Sequence, residues 1–278
     1  MTLVPTYPPI TPAAAPETTF LVRKTLRTSL QDPKALGGKI ARVPLSRFGD
    51  PLRDLSPGRW LQDSLWDWGR EEVRLGSRVP KGFPAYARIL HPAYRATGQR
   101  LESVRWSTVA GITGGTVHPL MHFHLLAGLR WPKEPDWGQA PLTGTLQPAE
   151  AEALLPILHA NTGTPDRCYF ALWEGFGHQE LNALVGTFPR LEVPKRAYLL
   201  FRGSLESFPW FELSSSQSPN LWWPEDHAWV VASEIDAYDT YVAGSEACVA
   251  QVMAEPALEV FPASINARVD IGSDVINV

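Results

Sequence analysis

The chain has 278 residues, of which 44% are hydrophobic and 19% charged, so it holds enough apolar material for a packed globular core. Its formal net charge is −4 without a basic stripe, which argues against nucleic acid as a partner, and it lacks the run of about 18–20 apolar residues that predicts a membrane span. The two cysteines, Cys168 and Cys248, are too few for the disulfide framework of a small secreted domain, so we expect buried, reduced thiols rather than a single disulfide.

The first 19 residues are predicted to form a flexible arm, because they hold five prolines and a triple alanine. They lack a basic segment followed by an apolar one, so we expect no secretory signal and a cytoplasmic location. Residues 20–278 are predicted to be one domain. Within it, residues 20–57 are broken by prolines and glycines and are expected to wrap over the surface, with KIARVPL (39–45) adding an edge strand.

Four segments carry helical signals. The first begins at Ser56, which we expect to cap it, with Pro57 at the first helical position and apolar residues at helical spacing: Trp60, Leu61, Leu65 and Trp68. A short helical turn is expected before the Gly114–Gly115 break. The clearest helix is QPAEAEALLPILHANTG (147–163), in which Pro156 predicts a kink or a restart. A last short helix is expected in GSEACVAQVMAEP (244–256), with Ser245 as its N-cap.

Apolar runs between these helices read as strands. They are PAYARILHP (84–92), RCYFALWEG (167–175), RAYLLFRG (196–203), HAWVVASEID (227–236) and LEVFP (258–262). Continuous apolar strands indicate a sheet covered on at least one face. Because the connections are irregular and rich in proline, we predict an α+β domain with a mixed, mainly antiparallel sheet, helices packed on it and long Pro/Trp-rich loops. Residues 131–148 are expected to be a surface excursion.

Three histidines, His118, His122 and His124, lie within seven residues. On a helix His118 and His122 share a face, a spacing that suits a transition metal. His124 can bind the same metal only if the chain bends, and Pro119 permits such a bend. Pro119 also occupies the position where the zinc-protease motif has its glutamate. The alternatives are a metal site and a partly exposed aromatic-rich segment.

Glu174, Glu234 and Asp236 are the candidate catalytic carboxylates. Glu234 and Asp236 are two residues apart, so on a strand they project from the same face, and Asp239 follows shortly. Paired carboxylates perform acid–base chemistry or hold a hard cation. The other reading is that they leave the core at a strand end and meet water or an arginine.

The chain holds eleven tryptophans, several of them in predicted loops. Trp222 and Trp223 are adjacent, so on a regular element one of them faces a second packing layer or solvent, whereas Trp229 is expected in the core. Large rings on loops are typical of binding sites, although they also fill space under coil segments. We therefore predict a cleft bordered by rings and acids: Trp173, Glu174, Trp222, Trp223, Glu234, Asp236 and Tyr241.

Other catalytic signatures are missing from the sequence. Neither phosphate-binding glycine motif occurs, and there is no GxSxG nucleophile elbow. Arg167 beside Cys168 suggests a reactive thiol, but Cys168 opens an apolar strand, where an inert thiol is the ordinary case. We expect no cofactor.

Three stretches together resemble a family of bacterial proteins without an assigned activity: YARILHP (86–92), TGTPDRCYFALWEGFG (162–177) and PNLWWPEDHAWVVASEIDAYDTYVAGS (219–245). The resemblance implies a bacterial, cytoplasmic protein. In general design the chain is also similar to immunity-type α+β proteins, which share its acidic charge and aromatic loops.

The sequence predicts a binding protein that recognises a protein partner or a small-molecule ligand through the Trp- and carboxylate-lined cleft. The alternative is a hydrolytic or metal-assisted enzyme that uses Glu234 and Asp236, or the group His118, His122 and His124.

Overall fold

The computed structural model describes residues 42–97, 100–129, 135, 138–213 and 216–278. The predicted arm and most of the predicted wrapping segment lie outside these residues. The described end of KIARVPL does form a strand, β1 (Arg42–Pro44), which runs parallel to β8 (Trp210–Glu212). That pair and β9 (Ser216–Gln217) make a small three-stranded sheet.

The predicted α+β class is confirmed. An antiparallel sheet of eight strands has the order β13-β2-β12-β11-β10-β5-β7-β6. Its strands are β2 (Ala85–Leu90), β5 (Cys168–Trp173), β6 (Leu191–Val193), β7 (Arg196–Gly203), β10 (Leu221–Pro224), β11 (Trp229–Ser233), β12 (Asp239–Gly244) and β13 (Val260–Ala263). A separate hairpin joins β3 (Ala93–Thr97) to β4 (Arg100–Val104).

Seven α-helices lie in the described ranges, and none of them is long and apolar enough to cross a membrane. They are α1 (Leu45–Phe48), α2 (Arg59–Ser64), α3 (Trp106–Thr113), α4 (Phe123–Leu126), α5 (Pro148–Ala160), α6 (Gln179–Val185) and α7 (Glu246–Ala254).

Every pairing within the eight-stranded sheet is antiparallel, so the predicted mixed character is confined to the small sheet. The sheet is buried on both faces, which explains why its strands are apolar at consecutive positions. Trp222 and Trp229 pack with α5 and α7 on one face, and Trp223 packs on the other with Leu61 of α2. Both members of the adjacent pair are 0% exposed. Of the two alternatives for the adjacent pair, a second packing layer rather than solvent is the one that the structure shows, and the core position of Trp229 is confirmed.

The first predicted helix is much shorter than its pattern suggests. A 3-10 turn precedes α2, which ends at Leu65 in an extended conformation. The indole of Trp66 then lies against Gly76, and its backbone N–H donates to the Gly76 carbonyl at 2.8 Å. Ser56 does not cap the helix, because its hydroxyl donates to Asp54 instead. The packing of Trp66 on Gly76 therefore overrides the local helical pattern.

Two further expectations about local structure need correction. Of the two alternatives at Pro156, a kink or a restart, the restart does not occur, because Pro156 lies on the exposed side of α5, where water can hydrate the backbone. The described part of the expected surface excursion, residues 138–147, is largely buried, with Leu146 in the core. Its backbone is satisfied by interior side chains, including Ser218, whose hydroxyl accepts from the Leu146 N–H at 2.9 Å. Residues 130–134 and 136–137 lie outside the described chain.

Candidate functional site

The candidate site begins with an ion pair on the sheet. Arg88 of β2 lies opposite Tyr241 of β12, and Asp239 projects from the same face two residues earlier. The Nε and Nη2 atoms of Arg88 each lie 2.7 Å from Asp239 Oδ2. Its Nη1 donates to the carbonyls of Pro119 and Met121 at 2.8 and 3.0 Å. All three nitrogens of this buried guanidinium are therefore held in place.

Both members of this pair are charged at neutral pH. Burial alone would raise the pKa of Asp239, but the adjacent Arg88 and Arg78 outweigh it and hold that pKa below its usual value. Burial would likewise lower the pKa of Arg88, and Asp239 reverses the effect. The floor of the site is thus a fixed anion beside a fixed cation.

Several polar atoms at the site have no hydrogen-bond partner among the described residues. Oδ1 of Asp239 is one, although the side chain is only 5% exposed. Arg78 faces this oxygen, but its Nη1 is 3.9 Å away, too far for a hydrogen bond, and the Nε of Arg78 is itself unpartnered. Nδ1 of His122 is a third such atom. Leaving a buried polar group unsatisfied costs about 1–3 kcal/mol, and more if it is charged, so these atoms call for an explanation.

These groups border a recess of about 230 Å³. Trp106 forms part of the wall, and its indole N–H donates to the His91 carbonyl at 2.7 Å. The turn that follows β11 forms another part through Asp236, Ala237 and Tyr238. Further lining comes from the C-terminal segment: Arg268, Val269, Asp270, Ile271 and Ser273.

Gly144 fixes the turn that carries Asp236. Its backbone N–H donates to the carbonyl of Ala237 at 3.0 Å. Gly144 has φ +70°, and an added Cβ would lie 2.7 Å from the Ile235 carbonyl oxygen. Only glycine fits this approach without strain, so this position sets one wall of the recess.

Asp274 links the loop before α4 to the C-terminal segment, both of which line the recess. Its carboxylate accepts from the backbone N–H of His122 and from His118 Nε2, both at 2.9 Å, and also from Asn277. Burial would raise the pKa of Asp274, but these hydrogen bonds hold it well below its usual value. The loop before α4 and the C-terminal segment are therefore joined through one ionised side chain.

A second recess of about 200 Å³ adjoins the first. The two share four lining residues, Arg88, Leu120, Tyr241 and Val269. Apart from Arg88, Tyr241 and Ser264, the second recess is lined by apolar side chains: Leu75, Pro119, Leu120, Pro262, Ala263, Ala267 and Val269. A polar chamber thus stands beside an apolar one.

The three histidines have separate roles rather than a common ligand. His118 binds Asp274, His122 lines the recess, and His124 Nε2 is hydrogen bonded to the Tyr238 hydroxyl at 2.8 Å. Burial, with neighbouring His124 and Arg88, lowers the pKa of His122 to about 4, so it is neutral at pH 7. Within the described ranges, no group of three or more His, Cys, Asp or Glu side chains is arranged to hold a metal ion.

The predicted carboxylate pair is held by an arginine. Strand β11 ends at Ser233, so the two-residue period stops before Glu234. Glu234 is buried and forms an ion pair with Arg196, whereas the Asp236 side chain is 83% exposed and lies 3.5 Å from the same guanidinium. Glu174 is paired elsewhere, with Arg190 at 2.7 Å. The alternative reading of acids that meet water or an arginine is the one the structure shows.

The cleft predicted from these acids and indoles does not form as a unit. Trp222 and Trp223 are sealed inside, and Trp173 is half-buried against Phe176. Of the seven predicted binding residues, Asp236 and Tyr241 line the recess. The prediction that indoles exceed what the core absorbs is wrong for these two rings, because a sheet covered on both faces has two interior layers.

Sequence reasoning missed Arg78 and Arg88. A signal for Arg88 was present, since a lone arginine stands at the centre of the apolar run AYARIL and has to be paired if that strand is buried. No local signal marked Arg78, whose position depends on the fold.

The thiols and Ser245 have structural roles. Cys168 and Cys248 are buried and free, and burial raises their pKa values to about 12 and about 11, so neither is a thiolate at neutral pH. The hydroxyl of Ser245 accepts from the Cys248 N–H at 3.1 Å and caps α7 as predicted.

Comparison of the chain with protein-family models, with curated proteins and with solved structures gives no match. The resemblance to a bacterial family therefore stays a prediction, and function has to be argued from the recess itself.

Proposed function

We propose that the protein is a binding protein whose ligand occupies the recess above Arg88 and Asp239. The observation that carries this proposal is the ionised Asp239, which has one oxygen saturated by Arg88 and the other without a donor. A ligand donor at Oδ1 would complete the hydrogen bonding of a charge that folding leaves incomplete.

The rigidity of the surroundings also supports binding. Arg88 is fixed through all three nitrogens, and Asp274 joins two walls of the recess. A site whose polar groups are already positioned loses less conformational freedom when a ligand arrives, which favours affinity. Concave sites with a few fixed polar groups beside apolar walls are the usual form of small-molecule sites.

The size of the recess favours a small ligand. Its volume of about 230 Å³ lies below the roughly 300–1,000 Å³ of sites for drug-sized molecules. The second candidate is a partner protein that inserts one side chain, as an immunity-like bacterial cytoplasmic protein would. It is favoured by two exposed apolar residues of the recess lining, Leu120 and Ile271, at 38% and 51% exposure.

The proposal is tested by filling the recess. Ser273 lines it, so Ser273→Trp should block it, while Ser103→Trp adds the same ring to an exposed position of β4 as a matched control. Saturation-transfer NMR of a small-molecule extract should show molecules that bind the wild-type protein and Ser103→Trp but not Ser273→Trp. Equal signals from all three proteins, or none from any, would count against a small-ligand site. Binding found only in the macromolecular fraction, and lost in Ser273→Trp, would support the partner protein.

A further inference from the structure

We propose that the recess ligand is a small zwitterion with an apolar group, the chemistry represented by an apolar α-amino acid. This inference rests on the proposed binding function and specifies which class of molecule the site takes. It follows from the balance of charge in the lining, from the two unpartnered atoms of opposite polarity and from the adjoining apolar recess.

The lining carries equal numbers of opposite charges. Three arginines and three aspartates border the recess: Arg78, Arg88, Arg268, Asp236, Asp239 and Asp270. His122 adds no charge at neutral pH. A ligand with a net charge would add an uncompensated charge to this partly buried site, which is unfavourable. A zwitterion has no net charge, so the charges of the lining stay balanced when it binds.

The two poles of such a ligand have separate places. Asp239 Oδ1 is a charged acceptor without a donor, and Arg78 Nε is a charged donor without an acceptor. The distance from Arg78 Nη1 to Asp239 Oδ1 is 3.9 Å, so the two side chains do not form a hydrogen bond with each other. An ammonium group suits Oδ1, and a carboxylate suits Arg78. Arg268 also lines the recess, but its Nε is already bound to Asp270 at 2.7 Å. Charged hydrogen bonds of this kind set both orientation and strength.

The apolar group has its place in the second recess. That chamber shares Tyr241 and Leu120 with the polar one, so it lies beside the place of a molecule anchored at Asp239. The apolar lining there offers burial to hydrocarbon, while its few polar groups offer little to a second polar head. A neutral polyol also matches the balanced charge but makes poor use of this chamber.

The inference is tested with five probes against the wild-type protein by isothermal titration calorimetry. L-leucine carries both poles and the tail, whereas leucinamide lacks the carboxylate, N-acetyl-leucine lacks the ammonium, glycine lacks the tail and glucose is a polyol. We expect leucine to bind, and each of the other four to bind at least about tenfold more weakly, since one charged hydrogen bond or one buried side chain is worth that much.

Two variants locate the tail. Ala267 lines the apolar recess, so Ala267→Trp should weaken leucine at least about tenfold, while Ala257→Trp, at an exposed position outside both recesses, should leave it unchanged. Equal affinity for leucine and leucinamide, or for leucine and N-acetyl-leucine, would overturn the zwitterion. If neither leucine nor glycine binds, and another molecule from the extract binds the wild-type protein but not Ser273→Trp, this inference is overturned and the proposed function stands. If no molecule in the small-molecule extract binds the recess, both this inference and the small-ligand form of the proposed function are wrong.

Discussion

Replacing Asp239 by asparagine should destabilise the protein strongly. The change keeps the shape of the side chain but removes the anion that lies 2.7 Å from two nitrogens of the buried Arg88. The guanidinium keeps its two carbonyl acceptors and loses its counter-charge. Removing one partner of a buried ion pair costs about 3–5 kcal/mol, and the asparagine oxygen still accepts one hydrogen bond, so we expect about 3 kcal/mol.

Urea unfolding followed by tryptophan fluorescence measures this loss, which is a large part of the roughly 5–15 kcal/mol of a typical domain. The pKa of Asp239 is lowered in the folded protein, so its contribution is present above the unfolded pKa of about 3.9 and is lost as pH falls through the folded value. The difference in the free energy of unfolding between wild type and variant should therefore decrease at acidic pH. A gap below about 1 kcal/mol at pH 7 would refute this reading of the pair.

The double variant Arg88→Met with Asp239→Leu separates stability from binding. Replacing a whole buried ion pair by apolar groups is often neutral or stabilising, so we expect it to be more stable than Asp239→Asn alone. It should nevertheless fail to bind the recess ligand. A double variant that still binds with wild-type affinity would show that Asp239 does not hold the ligand.

Three further substitutions test how burial affects the contribution of a carboxylate to stability. Burial raises the pKa of Glu150 to about 7 from its ordinary 4.5, so its contribution to stability is present below the unfolded pKa and is lost as pH rises to 7. At pH 8 the free energy of unfolding of Glu150→Gln should therefore exceed that of the wild type by up to about 3 kcal/mol, and at pH 4 the two should be equal. Parallel pH–stability curves for the two proteins would contradict this. Glu234→Gln should cost about 2 kcal/mol because it weakens a buried contact to Arg196. Asp236→Asn should change the free energy of unfolding by less than about 0.5 kcal/mol because Asp236 is exposed, and equal losses in the two variants would contradict the structure.

Much of the fold could be predicted from local patterns. Apolar runs marked five of the eight strands of the large sheet, β2, β5, β7, β11 and β13, and the adjacency of Trp222 and Trp223 implied that the two rings face opposite sides. The cap at Ser245 followed from residue type alone. Predictions failed where contacts outside the helical period decide local structure, as at Trp66, which packs on Gly76 instead of continuing the helix.

The site was less accessible to sequence reasoning. Acids and rings close together in sequence were expected to share a cleft, but Glu234 is tied to Arg196 and the indoles are interior. The recess instead depends on strand register, which places Arg88 opposite Tyr241 across β2 and β12. Register between strands about 150 residues apart is a property of the whole fold, and no short motif encodes it.

The most direct test is a high-resolution crystal structure of the wild-type protein soaked with leucine. We expect a non-water molecule in the recess with a donor atom within hydrogen-bond distance of Asp239 Oδ1 and an acceptor within reach of Arg78 Nε. A structure in which Arg78 moves onto Oδ1, the gap closes and the recess holds only solvent would contradict the proposed site.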